Sequence, residues 1–444
     1  MIYANSYFHR VVVTGIGVVS PIGKTAEEFR HSLAHGTSGI KKLDESLSLT
    51  TPCSHAGYVA DFQGKIGDFD YLDKVTRKKV RKALKVMSRE TKMALSACTQ
   101  ALFDSDFDSA GYDPERVGVT LGTGDMTLVP DDFIGAVQAC QDENQEFNFS
   151  QWGTEGIPKV EPLWLLKSLP NMSACHIAIY HDFQGPNNSI TQRETAANIA
   201  IAEAYRIISD GDADAMIVGG TGTTMLPMAF IHQLMEDDEV SNNNETCRPF
   251  DLHRSGSVAG EGAAMVVLEE LNSALDRGAK IYGEICGTGS STVINGSHQA
   301  KREQAVSNVI KMALKNANAS VDQVGHIHAH GLSTQKTDRE EARAIRNIFG
   351  SRADHLPVTA MKSYTGNAGA GSGAMEFVAS LLALQEDKLF PILNCNTPDP
   401  ECPISPVTNY DSDPENCKPG NSFLNLSIVP HGQASSIYVE TFQE

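Results

Sequence analysis

Residues 185–205 read GPNNSITQRETAANIAIAEAY. A tight turn at Gly185-Pro186-Asn187 leads into a short β-branched run and then a helix beginning near Glu194. Ala197, Ile199, Ala200, Ala202, Ala204 and Ile207 are small or apolar, which predicts a buried or nearly buried helix up to Asp210-Gly211. The first side chain of such a helix faces unsatisfied backbone N–H groups and the positive end of the helix dipole. Chains place a thiolate, a phosphate or a carboxylate there. This chain places Glu194 there, and the meaning of that glutamate decides how the rest is read.

On either side of this stretch, strand-like runs end in glycine turns. Residues 10–17 (RVVVTGIG), 116–124 (RVGVTLGTG), 213–222 (ADAMIVGGTG) and 263–269 (AAMVVLE) form one set. A second set follows from about residue 272: 280–287, 324–330 (VGHIHAH), 358–362, and the pair FLNLSIV and SSIYVETF around Pro430-His431-Gly432. Helical patterns fall between them, at 301–319, at 338–348 and from the Gly/Ala-rich turn after Asn367 to Gln385. Strands alternating with helices give an α/β architecture, and two sets on one plan suggest an internal duplication. Thr25 reads as the N-cap of an early helix, with Glu27 and Glu28 in its first turn. The acidic, Gln/Asn-rich segment 126–165 reads as a partly helical excursion that covers a site or an interface. The Gly15-Ile16-Gly17 turn does not make a dinucleotide site: the third glycine is misplaced, Pro21 interrupts, and no acidic residue closes a βαβ unit.

With 444 residues the chain can bury a large core. Its formal charge of −19 argues against partnership with nucleic acid or an anionic membrane surface. There is no apolar run of spanning length and no signal-like N-terminus, so the cytoplasm is the expected compartment. Nine scattered cysteines, none in a CxxC pair, read as reduced structural thiols. No set of ligands has the spacing of a metal site, and no cofactor is called for.

Against this acidic background, one segment is basic. Lys78, Lys82, Lys85, Arg89 and Lys92 recur at helical spacing, broadened by Arg77, Lys79 and Arg81. Val80, Leu84, Met87, Ala94, Leu95 and Cys98 supply an opposing apolar stripe. The alternatives are a solvated surface helix or a docking face for an acidic partner.

The motifs VVVTGIGVVSPIG, GDADAMIVGG, RPFDLHRSGSVAGEGAAMVVLE, HAHGLST and MKSYTGNAGAGSGAME, taken together, resemble the elongating β-ketoacyl-acyl-carrier-protein synthases over residues 9–442. The resemblance implies the thiolase fold: two similar α/β halves (9–271 and 272–444) in five layers, αβαβα, usually as an obligate dimer. The family's chemistry uses a cysteine nucleophile at a helix N-terminus and two histidines supported by a lysine and acidic groups. Carried over by position, the cysteine slot falls at Glu194, the first histidine at His330, the second at Asn367, the lysine at Lys362, and the acidic supports at Asp338 and Glu341. The C-terminal glycine-rich loop is replaced by Ile428-Val429-Pro430-His431-Gly432-Gln433. Related Cys-His-Asn enzymes tolerate an asparagine, but a carboxylate is a weak acyl acceptor and an acyl-glutamate would be a mixed anhydride. The pattern resembles the chain-length-factor class, which keeps the fold, loses the cysteine and pairs with an active synthase. The resemblance places docking of the acidic acyl carrier protein on the basic helix, through Lys78, Arg81, Lys82, Lys85 and Arg89. The expected assembly is a homodimer or a heterodimer with a cysteine-containing ketosynthase. The competing expectation is an enzyme in which His330 and Asn367 polarise a malonyl- or acyl-thioester and Glu194 acts as a base. His326 and His328 read as core or interface residues.

Overall fold

The computed structural model describes residues 9–44, 53–126, 129–236, 246–408 and 417–443. Ten strands build the framework. In the first half they are β1 (Val11–Val19), β2 (Val117–Gly122), β3 (Asn187–Ile190), β4 (Ala215–Thr223) and β5 (Ala259–Glu270). In the second they are β6 (Gly283–Thr292), β7 (His326–His328), β8 (Pro357–Thr359), β9 (Ser422–Val429) and β10 (Gln433–Glu440).

Their spatial orders are β1-β5-β4-β2-β3 and β6-β10-β9-β7-β8. Renumbered within each half, both are 1-5-4-2-3. The pairing sense also repeats: antiparallel at β1/β5 and β5/β4, parallel at β4/β2 and β2/β3, then antiparallel at β6/β10 and β10/β9, parallel at β9/β7 and β7/β8. This is the internal duplication that the two sets of glycine-ended strands suggest. Val11–Val13 pair antiparallel with Gly283–Ile285, so the two halves join into one continuous sheet.

The connecting helices repeat as well. In the first half they are α1 (Lys74–Ala83) and α2 (Arg89–Asp104) before β2, α3 (Met172–His181) before β3, and α4 (Ala196–Ser209) before β4. In the second, α5 (Arg302–Asn316) precedes β7, α6 (Gln335–Phe349) precedes β8 and α7 (Ser372–Glu386) precedes β9. One apolar cluster holds α4 and α7 together with strand residues of both halves. A second packs α2 and α3 on the outer face of β2, β4 and β5, and a third packs α5 and α6 on β7 and β9. These are the five layers of the expected thiolase fold. Composition explains which helices go inside. Every residue of α7 from Ser372 to Leu384 is buried, and α4 buries Ala196, Ala197, Ala200, Ile201 and Ala204. From Ser372 to Leu384 the covered helix α7 carries a single charged residue, Glu376, whereas α4 keeps Arg206 exposed.

Two local expectations differ in detail. The basic run is not one helix: a 3-10 turn over Leu84–Val86 leads to extended Met87, and the Ser88 hydroxyl caps a new helix by accepting from Thr91 N–H. The buried helix proper starts at Ala196, because Arg193–Thr195 form a separate 3-10 turn. The described part of 126–165 is partly helical, as expected, in a series of short helices and turns; residues 127 and 128 lie outside the described residues. Thr25 caps its helix as expected, accepting from Glu28 N–H at 3.2 Å.

Candidate functional site

The carboxyl ends of the strands hold the candidate groups, the usual place for ligand-facing residues in open α/β sheets. Glu194 follows β3, His330 follows β7, and Lys362 and Asn367 follow β8. Equivalent strand–turn–helix units of the two halves thus deliver Glu194 and Asn367 to one point. Arg193 carries φ +51°, a left-handed backbone that turns Glu194 inward. Glu194 is 2 % exposed and Asn367 3 %.

The amide of Asn367 is oriented by its surroundings. Its Oδ1 accepts from Gly369 N–H at 3.0 Å and from the Ser372 hydroxyl at 3.3 Å. Nδ2 therefore faces Glu194 and donates to Oε1 at 3.0 Å. The Asn367 backbone is held too: its N–H donates to Val258 O at 2.8 Å and its carbonyl accepts from Thr224 Oγ1 at 2.7 Å. Glycines in β4 permit this approach, since a Cβ on Gly222 would stand 2.3 Å from Ala368 O and one on Gly220 2.4 Å from Ala370 O. Glu194 Oε2 takes no hydrogen bond among the described residues, and Arg193 Nε stands 3.6 Å from it.

A second group centres on Lys362, which is 1 % exposed. Its ammonium donates to His330 O at 2.8 Å and to His330 Nδ1 at 3.1 Å, and it forms an ion pair with Glu376. Because Nδ1 accepts, the proton of the neutral imidazole sits on Nε2. That atom is buried and has no partner among the described residues. Burial, and then the Lys362 charge, hold the His330 pKa well below that of an ordinary histidine. Burial raises Glu376, Lys362 opposes the shift, and Glu194 adds to it.

Glu341 and Asp338 support the backbone of the site and not the imidazole. Glu341 accepts from the N–H groups of His330 at 2.7 Å and Gly331 at 3.0 Å. Burial pushes it up to about 8, against those two amides. Asp338 accepts from Phe250 N–H at 3.0 Å and stands 3.5 Å from Arg254, which also bonds Asp399 at 2.7 Å. Burial raises Asp338 to about 6 despite Arg254. Glu194 thus meets Asn367, and His330 meets Lys362 and Glu341, the two groups being linked through the charge of Glu194 acting on Glu376, while Asp338 stands one step away.

The family model "Beta-ketoacyl synthase, N-terminal domain" matches residues 9–274, and "Beta-ketoacyl synthase, C-terminal domain" matches 282–396. The chain belongs to the β-ketoacyl synthase family. It is 33% identical over 408 residues to the 3-oxoacyl-[acyl-carrier-protein] synthase 2 of Synechocystis, covering 91% of this chain and 92% of that protein. The synthase 2 of Staphylococcus aureus strain N315 is likewise 33% identical, over 409 residues, covering 91% of this chain and 92% of its own. Among solved structures, "The ishigamide ketosynthase/chain length factor" superposes with a TM-score of 0.81 at 24% identity, over 98% of this chain and 100% of that one; at this identity it speaks for the fold. A type II polyketide synthase acyl-carrier protein in complex with its ketosynthase bound to the hexaketide superposes with a TM-score of 0.79 at 26% identity, again over 98% and 100%.

Other sequence candidates of this synthase-family chain lie elsewhere. Lys78, Arg81, Lys82 and Lys85 are exposed on α1 and the turn after it. Arg89 does not share their face. It is clasped bidentately by buried Glu261 at 2.7 Å and 2.7 Å, donates to Phe62 O and Val59 O at 2.8 Å each, and lies over the Tyr58 ring. His326 and His328 are core residues that share the Ser380 hydroxyl, at 3.1 Å and 2.9 Å. Sequence reasoning missed Glu376, Ser372 and Arg254. Glu376 closes the MKSYTGNAGAGSGAME motif, and an acidic residue in an otherwise apolar helix was the available signal. It also missed a cavity of about 750 Å³ lined by Met87, Glu90, Thr123, Leu169, Met225 and Leu226 among others. Among the described residues, no helix is long and apolar enough to cross a membrane.

Proposed function

We propose that this chain is a non-condensing, chain-length-factor-like subunit that pairs with a cysteine-bearing ketosynthase and helps shape the tunnel for the growing acyl chain. The observation that carries this reading is the Glu194–Asn367 contact. The nucleophile position holds a carboxylate whose Oε1 is bonded to the residue standing where the second histidine would act. A carboxylate so placed is a poor acyl acceptor. The remaining scaffold is kept by charges that satisfy one another, Lys362 with Glu376 and Glu341 with two amides, so its presence does not require catalysis. Keeping the scaffold serves a subunit that must match a partner of the same fold.

In this reading, acyl carrier protein docks on the exposed cluster Lys78, Arg81, Lys82 and Lys85. Positive charge on an acidic chain steers an acidic partner. Support comes from the structural neighbour at 26% identity, a ketosynthase in complex with its acyl-carrier protein. The proposed domains are the two ketoacyl-synthase halves, 9–271 and 272–444, and the cytoplasm is the proposed compartment. The test is mass spectrometry after incubation with malonyl- and acyl-carrier protein, together with purification under conditions that retain partners. Neither acylation nor release of acid, with a copurifying synthase, is the expected result.

One observation favours a second reading. His330 Nε2 offers a donor and Glu194 Oε2 an acceptor, both buried and both without a hydrogen-bond partner among the described residues. Such a pair can polarise a thioester carbonyl and take a proton from water, giving hydrolysis or decarboxylation of acyl- or malonyl-carrier protein. Turnover by the wild type that is lost in Glu194→Ala and His330→Ala would establish it.

A further inference from the structure

Two exposed faces of this chain carry opposite charge, and each includes exposed apolar side chains. The first is the stretch 141–157. Its tip is a built turn: Asp142 Oδ1 accepts from the N–H groups of Asn144 at 2.8 Å and Glu146 at 3.0 Å, and Asn148 N–H donates to Cys140 O at 2.7 Å. The turn leaves Phe147 and Phe149 47 % and 75 % exposed, with ring centroids 6.5 Å apart. Ile157 is exposed further along the same stretch. Glu143, Glu146 and Glu155 are exposed there too, and none of them forms an ion pair among the described residues. The second face is that of α1. Val75, 66 % exposed, lies one turn from Lys78 and Lys79 and two turns from Lys82 on the same side of the helix. Just before α1, the exposed Tyr71 ring packs on exposed Phe103 of α2, with centroids 4.9 Å apart. Arg77 is paired with Asp70 at 3.0 Å, but Lys78, Lys79, Arg81 and Lys82 form no ion pair among the described residues. Exposed apolar groups rimmed by charge mark interaction surfaces.

We propose that the acidic, aromatic stretch 141–157 docks on the basic face of α1 in a second copy of this chain. Charge complementarity names the occupant. The chain as a whole is strongly acidic, with a formal charge of −19, so two copies repel except where one presents a basic face. The face of α1 is such a place, and the stretch 141–157 offers it unpaired carboxylates. The apolar groups match as well: Phe147 and Phe149 on one side meet Val75, Tyr71 and Phe103 on the other, and both sets leave water. Within one chain, no ion pair joins the two faces among the described residues, so both remain open to another copy. The contact is heterologous, since each copy gives a different surface to it. It is independent of any pairing through the open sheet edge at β3, which neither face includes. It goes beyond the reading of the chain as a non-condensing subunit, and it covers the same lysines that are proposed to receive the carrier protein.

The test is sedimentation velocity of the purified full chain over a range of concentrations, with two charge-swapped variants. One is Glu143→Lys/Glu146→Lys, the other Lys78→Glu/Lys82→Glu. All four side chains are exposed and unpaired, so both variants are expected to keep the wild-type melting temperature. Wild type is expected to sediment as a larger species than either variant, and its association weakens about tenfold between about 50 mM and about 500 mM salt. An equimolar mixture of the two variants is expected to recover the larger species, because each then offers the other a face of opposite sign. Phe147→Ser/Phe149→Ser weakens association at both salt concentrations. A wild type no larger than the variants, association untouched by either swap, or a mixture that stays dissociated would overturn the proposal. The result does not depend on a copurifying synthase or on thioester turnover, so it stands or falls apart from the non-condensing reading.

Discussion

Asn367 Nδ2 donates to Glu194 Oε1 at 3.0 Å across the boundary between the two halves of the fold, with both side chains buried. Asn367 is fixed by Gly369 and Ser372, so the carboxylate is met by a donor that cannot rotate away. Asn367→Asp would set two carboxyl groups in contact without a donor. It is expected to cost about 1–3 kcal/mol of stability by removing the bond and leaving a buried acceptor unsatisfied. Urea unfolding checks this, and a double Asn367→Asp/Glu194→Gln variant should regain most of the loss, since a donor then returns from the other side.

Glu194→Cys places a thiol in the 3-10 turn just before α4. Incubation with acyl-carrier protein is expected to give a stable thioester adduct on the variant and none on wild type. Intact-mass spectrometry reads the difference. Acylation of wild type would contradict the account of Glu194 as a poor acceptor.

The Lys362–Glu376 ion pair is almost wholly buried. Glu376→Gln or Lys362→Met alone leaves an uncompensated group and is expected to cost about 3–5 kcal/mol. Removing both partners with Lys362→Met/Glu376→Leu should cost less than either single change, measured by a double-mutant cycle in denaturant. Additive losses would show that the two residues act independently.

Stability depends on pH in a direction set by buried groups. Burial pushes Glu341 to about 8 and Glu90 to about 7, whereas unfolded glutamates ionise near 4.5. Burial lowers His326 to about 4, and lowers His328 and His330 further below the unfolded value of 6.5. Below pH 6.5 the unfolded histidines bind protons that the folded ones refuse, which favours unfolding. That penalty is absent above 6.5. The glutamates behave in the opposite sense: the folded chain holds protons that the unfolded chain has released, so their contribution falls as pH rises toward 8. The melting temperature is therefore expected to decline from pH 6.5 to 8, and less steeply in Glu90→Gln. A rise across that window would refute the assignment.

Carrier-protein affinity should depend on the exposed cations and not on Arg89 directly. Lys82→Glu/Lys85→Glu is expected to weaken binding of acyl carrier protein several-fold and to flatten its salt dependence, with the melting temperature unchanged. Arg89→Ala breaks the clasp on buried Glu261 and should lower stability. Surface plasmon resonance and thermal unfolding separate the two effects.

Much of the fold was legible in residue order. Glycine-ended strands in two series pointed to an internal duplication, though the 1-5-4-2-3 order itself came from the structure, and the small residues of 196–209 and 372–386 pointed to the central helices. These signals are local: a largely buried helix carries few charges, and a close approach demands glycine. The run from Lys78 to Lys92 misled because helical periodicity continues through Leu84–Ser88, while a break there depends on Met87 turning inward and Ser88 capping a new helix. Arg89 fits the same periodicity as the exposed lysines, and only its partner Glu261, distant in sequence, turns it away from solvent.

The sequence alone determined which chemical groups are available: a glutamate just ahead of the central helix, a histidine and a lysine after two later strands, and an asparagine shortly after that lysine. The tertiary structure decided how they are used. It set Asn367 against Glu194, gave Lys362 to both His330 and Glu376, and moved Glu341 onto backbone amides. Hydrogen bonds and desolvation act over a few ångströms between groups that the chain separates by more than a hundred residues, so only folding brings them within reach.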